Sequence, residues 1–204
     1  MLIFSIAYWP NIEYFARIIG EKKIYIEKKE NFIKQTYRNR CEILSPIAKM
    51  NLIVPVLGGR SMNKKPIDQI KIDYTKTWIP THLNSLKTAY GSAPFFDFYF
   101  DQIKSLLKLK PYTLFSLDLL TINLSLQLLQ VQVEIKFTNN FIKLINGNND
   151  YRYKISPKIK SELKFPPYPQ VFEDRFGFVP NLSILDLLFN LGPEALSYLK
   201  SIRV

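Results

Sequence analysis

The sequence holds one cysteine (Cys41), one histidine (His82) and seven glycines in 204 residues. A single cysteine excludes an internal disulfide and a thiolate metal cluster, and a single histidine excludes a histidine-based metal cage. Low cysteine use fits a reducing compartment, so a cytoplasmic location is expected. The longest apolar stretch, Leu114 to Leu129, is interrupted by Ser116, Asp118, Thr121, Asn123, Ser125 and Gln127. A crossing needs about 20 predominantly apolar residues, so this is read as a buried helix, and no transmembrane segment is expected. The opening run MLIFSIAYWPNIEYF has neither a preceding basic residue nor a small-residue cleavage site, which argues against a signal peptide. GxGxxG, GxxxxGK[ST] and GxSxG are all missing, so neither a phosphate cradle nor a nucleophile elbow is signalled. Gly58-Gly59-Arg60 reads as a turn.

What is present describes an ordinary globular chain. Hydrophobic residues make up 47% and charged residues 22%. A chain this long buries about 70% of its unfolded surface and needs no staple to fold. The net charge of +11 is spread evenly: 15 basic and 9 acidic side chains in residues 1–102, 13 and 8 in residues 103–204. Lysine outnumbers arginine 21 to 7, whereas phosphate and base recognition leans on the planar arginine fork. Nucleic acid is therefore a disfavoured partner, and a small-molecule substrate, anionic or sugar-containing, is the expected one.

The hydrophobic pattern predicts an α/β fold. Leu2–Tyr8 reads as a buried strand, Asn11 caps a short helix ending at Gly20, and Lys23–Glu27 is a second strand. Strand, helix and strand within 27 residues predict a βαβ unit with a parallel pair. Further strands are expected at 51–56, 67–72 and 131–137. Helices are expected from Thr77 to Gly91, from Pro94 to Leu109, over Thr113–Gln130, over Leu182–Asn190 and over Pro193–Ser201. Between Asn139 and Lys164 the pattern becomes irregular, with Asn146-Gly147 predicting a hairpin and the basic residues Arg152–Lys164 an exposed loop. The whole reads as a single domain: a mostly parallel, partly mixed sheet flanked by helices, with a C-terminal helical segment.

Three clusters could carry chemistry. Tyr8-Trp9-Pro10-Asn11 follows the first strand, and open α/β sheets bind ligands beyond strand carboxyl ends. The alternative is that Tyr8 and Trp9 pack core. Lys34–Arg40 follows the second strand, and Arg38-Asn39-Arg40 offers guanidinium and amide donors for a phosphate, carboxylate or sugar hydroxyl. The alternative there is a solvated loop. Trp78 and His82 lie one helical turn apart, so the histidine can serve as acid or base beside an aromatic wall, or stand as a hydrogen-bonded helix residue.

The same segments resemble a known family. Tyr8…Pro10…Tyr14-Phe15, Tyr37-Arg38-Asn39-Arg40, Trp78…His82, Tyr90…Ala93-Pro94-Phe95-Phe96 and above all FVPNLSILDLLFNLGPEAL (Phe178 to Leu196) are similar to the WbqC-like protein family, in its short Bacteroidetes-type form. The resemblance covers nearly the whole chain and implies one α/β domain over residues 1–204. It also implies an enzyme of surface-polysaccharide (O-antigen-type) or amino-sugar modification, a transferase of small acyl or aminoacyl groups. His82 would then be catalytic, and Tyr8, Arg38, Asn39, Arg40 and Trp78 would bind substrate on one concave surface. Two departures bear on this. Longer relatives carry a His-Gln-Pro-like opening where this chain has Phe4-Ser5-Ile6, and a Gly-rich segment in the second half is missing. A ligand-binding protein of the same fold without catalysis, and a basic nucleic-acid-binding protein, are the alternative readings.

Overall fold

The computed structural model describes residues 1–58, 65–143 and 149–202. Its centre is a parallel sheet of three strands in the order β1 (Ile3–Phe4), β2 (Lys23–Ile26), β5 (Glu134–Phe137). Ile3 pairs with Tyr25 and Phe4 with Ile26, so the expected parallel βαβ unit is present, with α1 (Ile12–Ile18) as its crossover. Ile3, Phe4, Ile24 and Ile26 are fully buried, and each such side chain contributes about 1.5–3 kcal/mol by leaving water. The side chain of Asn11 caps α1 by accepting from the Tyr14 N–H at 3.2 Å. Gly20 then turns the chain with φ +87.

The first strand is much shorter than the expected 2–8. After Phe4 the backbone leaves the sheet, and residues 5–11 form a buried loop held by other partners. The Tyr8 N–H donates to the Tyr37 carbonyl at 2.9 Å, and the Trp9 N–H donates to Thr121 Oγ1 at 3.2 Å.

The antiparallel component is a separate ribbon. β3 (Arg40–Leu44) and β4 (Lys49–Ile53) pair from Arg40↔Ile53 to Leu44↔Lys49. Ser45 and Ala48 close the turn, with Ser45 Oγ donating to the Ala48 carbonyl at 2.7 Å. The expected strand at 67–72 is instead a 3-10 turn at Ile67–Gln69 followed by single bridges at Lys71 and Ile72. Ile67 and Ile70 are both fully buried at that spacing, so an i, i+3 repeat imitates strand alternation.

Four longer helices surround these sheets: α2 (Trp78–Tyr90), α3 (Phe96–Lys108), α4 (Leu114–Leu128) and α6 (Ile184–Leu191). The short α5 (Glu173–Phe176) and α7 (Ala195–Ser201) complete the set. On α4 the buried hydroxyls bond their own helix, Thr121 to the Asp118 carbonyl and Ser125 to the Thr121 carbonyl, both at 2.8 Å. α6 is buried on all sides, and α1 packs against both α6 and α7.

No hairpin follows β5 among the described residues. Among the described residues β5 pairs with β2 alone, and Asp150 bridges to the other side of Ile3 in parallel. The predicted Asn146-Gly147 turn lies outside the described residues. Lys154, Lys158, Lys160 and Lys164 are exposed as expected, but Arg152 is not. Its guanidinium is 1% exposed and pairs with Asp150 Oδ2 at 2.6 Å and Glu27 Oε2 at 3.2 Å.

Candidate functional site: two openings beside one loop

The loop from Ser5 to Asn11 leaves the sheet at the carboxyl end of β1; it lines one opening, and a second is reached through the hydrogen bond from Tyr8 to His82.

The first is a cleft lined by Ser5, Asn11, Tyr14, Tyr37, Arg38 and Tyr151 among others. It encloses about 10 Å³, which is room for about one water molecule. Arg38 is 3% exposed, because its charge is matched from within. Its Nε and Nη2 donate to the two Glu30 oxygens at 3.0 and 2.5 Å, and Nη2 also donates to Ser5 Oγ at 2.7 Å. Burial pushes the Glu30 carboxyl up while the Arg38 guanidinium pulls it back. The expected surface arginine is thus half of an internal ion pair.

The second opening is a groove of about 400 Å³ between β4 and the first half of α2. Met50, Asn51, Ile53 and Pro55 line one wall; Trp78, Thr81, His82 and Ser85 line the other, and Lys76 supplies the one cation. A neighbouring groove of about 460 Å³ shares Met50, Thr81 and Ser85 and extends past Ile47, Asn84 and Thr88. Helical spacing explains the second wall, since Trp78, Thr81, His82 and Ser85 fall on one stripe of α2. Trp78 meets His82 edge-on at 5.0 Å between ring centroids, and Tyr74 tilts against Trp78 at 6.0 Å.

His82 is 3% exposed and fixed from both ends. Nε2 lies 3.1 Å from the Ile53 carbonyl, which can only accept, so Nε2 carries the proton. Nδ1 is then the acceptor for the Tyr8 hydroxyl at 3.1 Å. Burial pushes the imidazole down to about 4, so the ring is neutral at pH 7. Burial likewise pushes the Tyr8 phenol well above its usual range, and Tyr8 stays a donor.

The six expected site residues therefore do not share one surface. Trp78 and His82 line the groove, with Tyr8 one hydrogen bond behind them. Arg38 lines the cleft across the loop. Asn39 donates its amide to the Val54 carbonyl at 3.0 Å, and Arg40 opens β3 opposite Ile53.

Several buried polar groups escaped the sequence reading. Asp118 on α4 is fully buried with no partner on either carboxylate oxygen. Burial raises it well above the usual carboxylate range against the pull of Arg38. Trp9 adopts φ +39, a left-handed backbone rare for an aromatic residue, and its indole N–H has no partner. Asp186 on α6 shows the opposite pattern, accepting from the Tyr90 hydroxyl at 2.8 Å, the Tyr168 hydroxyl at 2.5 Å and Gln170 Nε2 at 3.0 Å. An aspartate in an apolar run gives no hint of which kind it is.

Among the described residues no cluster of three or more histidine, cysteine, aspartate or glutamate side chains could hold a metal ion, and no helix is long and apolar enough to cross a membrane. No curated protein and no solved structure matches the chain. The model of the WbqC-like protein family does match it, over residues 7–163 and 159–198, covering the loop from Ala7 onward, the groove and the buried α6; the chain belongs to that family.

Proposed function

We propose that this protein acts on an amino sugar or a surface-polysaccharide sugar, held in the groove between β4 and α2. The observation that carries the proposal is the Tyr8–His82 pair set behind Trp78 in the wall of a groove of about 400 Å³. Ligand sites span about 300–1,000 Å³ and combine an apolar wall with a few placed polar groups. Here Trp78, although only 6% exposed, lines the groove and gives it an apolar wall for one side of a sugar ring. Asn51, Thr81 and Ser85 supply amide and hydroxyl partners for its hydroxyls. Family membership supports the same reading, with acyl or aminoacyl transfer as the reaction. In that reaction the amino nitrogen of the sugar would attack the carbonyl carbon of the donor, the donor's leaving group would depart with the bonding electrons, and the amine proton would pass to His82 Nδ1 once the Tyr8 hydroxyl has turned off it.

A second reading, binding without turnover, is favoured by the same histidine, because both of its nitrogens are already engaged. Thermal-shift measurements with amino sugars and nucleotide-linked amino sugars, on wild type and Trp78→Ala, test the site. A ligand that raises the wild-type melting temperature and leaves the variant unmoved supports it. Equal shifts in both proteins, or none in wild type, would overturn it. Mass spectrometry of a bound amino sugar incubated with acyl and aminoacyl donors then separates the two readings.

A further inference from the structure

The connection between α3 and α4 carries a surface that neither opening uses. Leu109 and Tyr112 are 66% and 65% exposed, among the most exposed large apolar side chains described. They sit three residues apart in a stretch that reads Lys104, Lys108, Leu109, Lys110, Pro111, Tyr112. Among the described residues none of the three lysines forms an ion pair. A fourth, the exposed Lys71, comes from a distant segment, and its ammonium stands 4.9 Å from the centre of the Tyr112 ring. Two acids lie near the group: Asp101, three residues before Lys104 on α3, and Asp73, two residues after Lys71, whose carboxylate accepts from Thr75 at 2.5 Å. Neither forms an ion pair with these lysines among the described residues, and no acidic residue lies within six positions of Lys108 or Lys110.

Two exposed apolar side chains in a lysine-rich connection match the chemistry of an anionic lipid surface. Leucine and an amphipathic tyrosine enter the headgroup boundary, and lysines bury their stems while the ammonium groups meet phosphates. We propose that this connection docks the protein on anionic membranes, with Leu109 and Tyr112 inserted and Lys71, Lys104, Lys108 and Lys110 against the headgroups. The geometry favours lipid over a free polyanion, because a polyanion gains nothing from two exposed apolar side chains. The surface is independent of the groove, so the sugar reading stands or falls separately.

Vesicle co-sedimentation tests it, with phosphatidylcholine vesicles compared against phosphatidylcholine mixed with phosphatidylglycerol. Binding is expected only to the anionic vesicles, and it weakens as salt rises. Lys108→Glu/Lys110→Glu lowers it by more than tenfold, since each lysine near the surface is worth about fivefold. Leu109→Ser/Tyr112→Ser lowers it as well, with an unchanged melting temperature because both side chains are exposed. Lys158→Glu/Lys160→Glu, an equal charge change elsewhere on the surface, leaves it intact. Equal binding to both vesicle types, no binding to either, loss in the distant variant, or insensitivity to the Leu109/Tyr112 variant would each overturn the proposal. So would tighter binding to random-sequence DNA than to anionic vesicles.

Discussion

Tyr8 and His82, 74 residues apart in sequence, meet at 3.1 Å with the tyrosine donating to Nδ1. The bond ties the loop after β1 to α2, and a neutral imidazole makes it possible. A protonated ring has no lone pair for the tyrosine, so the tie should depend on pH.

The His82 imidazole is pushed down to about 4 in the folded protein, against about 6.5 in an unfolded chain. A depressed folded value means the contribution is fully present above pH 6.5 and is lost as pH falls toward 4. Urea unfolding at pH 7 and at pH 4, on wild type and His82→Gln, should show wild type losing about 3 kcal/mol more than the variant across that window. Parallel losses in the two proteins would show that His82 is not the titrating group.

Asp118 works in the opposite direction. Its folded value is raised by burial, so its contribution is complete below the unfolded value near 4 and declines as pH rises. Asp118→Asn holds the uncharged form at every pH. The variant should melt higher than wild type at pH 8, and the gap should close toward pH 4. Calorimetry at both pH values checks this, and a variant less stable than wild type at pH 8 would contradict the assignment.

For Arg38 both readings of the sequence, a substrate-binding residue and a solvated loop, put the side chain at the surface. The structure reverses that. Removing the guanidinium leaves the fully buried Glu30 without its counter-charge, and breaking such a pair costs about 3–5 kcal/mol. Arg38→Ala should therefore lower the urea midpoint sharply. Arg38→Ala combined with Glu30→Gln should recover part of the loss, because no charge is then left buried. A single variant as stable as wild type would return Arg38 to the surface.

Two left-handed glycines should respond differently to the same change. A Cβ at Gly192 (φ +52) would run into the Phe95 ring, whereas at Gly177 (φ +64) nothing lies within 4 Å. Gly177→Ala costs only the backbone strain of a conformation (φ +64, ψ −171) essentially reserved for glycine, about 1–3 kcal/mol. Gly192→Ala adds the clash and should be clearly the less stable of the two in thermal melts.

Local signals explain which parts of the fold were legible. The βαβ unit could be read because its pieces are neighbours in sequence: an apolar strand, the Asn11 cap, Gly20 and the alternation of Lys23–Ile26. The ribbon of β3 and β4 was only half legible. Arg40–Leu44 hides behind the charged stretch Lys34–Arg40, and its turn, Ser45 to Ala48, lacks the Asn-Gly signal of a tight hairpin. Ile67–Ile72 was misread because period two and period three coincide over so short a run. At the site, Trp78 and His82 could be paired because they share a helix face. The fates of Arg38 and Arg152 could not be read, since a buried arginine is recognised only by its counter-ions. For Arg152 one of these is Glu27, 125 residues away.

That same distance sets a timetable for the nascent chain. β1 and β2 leave the ribosome early, but β5 and the Asp150 bridge that flank them are made more than a hundred residues later. At about 5–20 residues per second, the wait from β2 to Arg152 is on the order of ten seconds. Throughout it the carboxylate of Glu27 has no guanidinium, and both edges of a two-stranded parallel pair stay open. Such edges recruit strands from other chains. The first quarter of this protein therefore stays open to pairing with other strands until the segment from Glu134 to Arg152 has emerged.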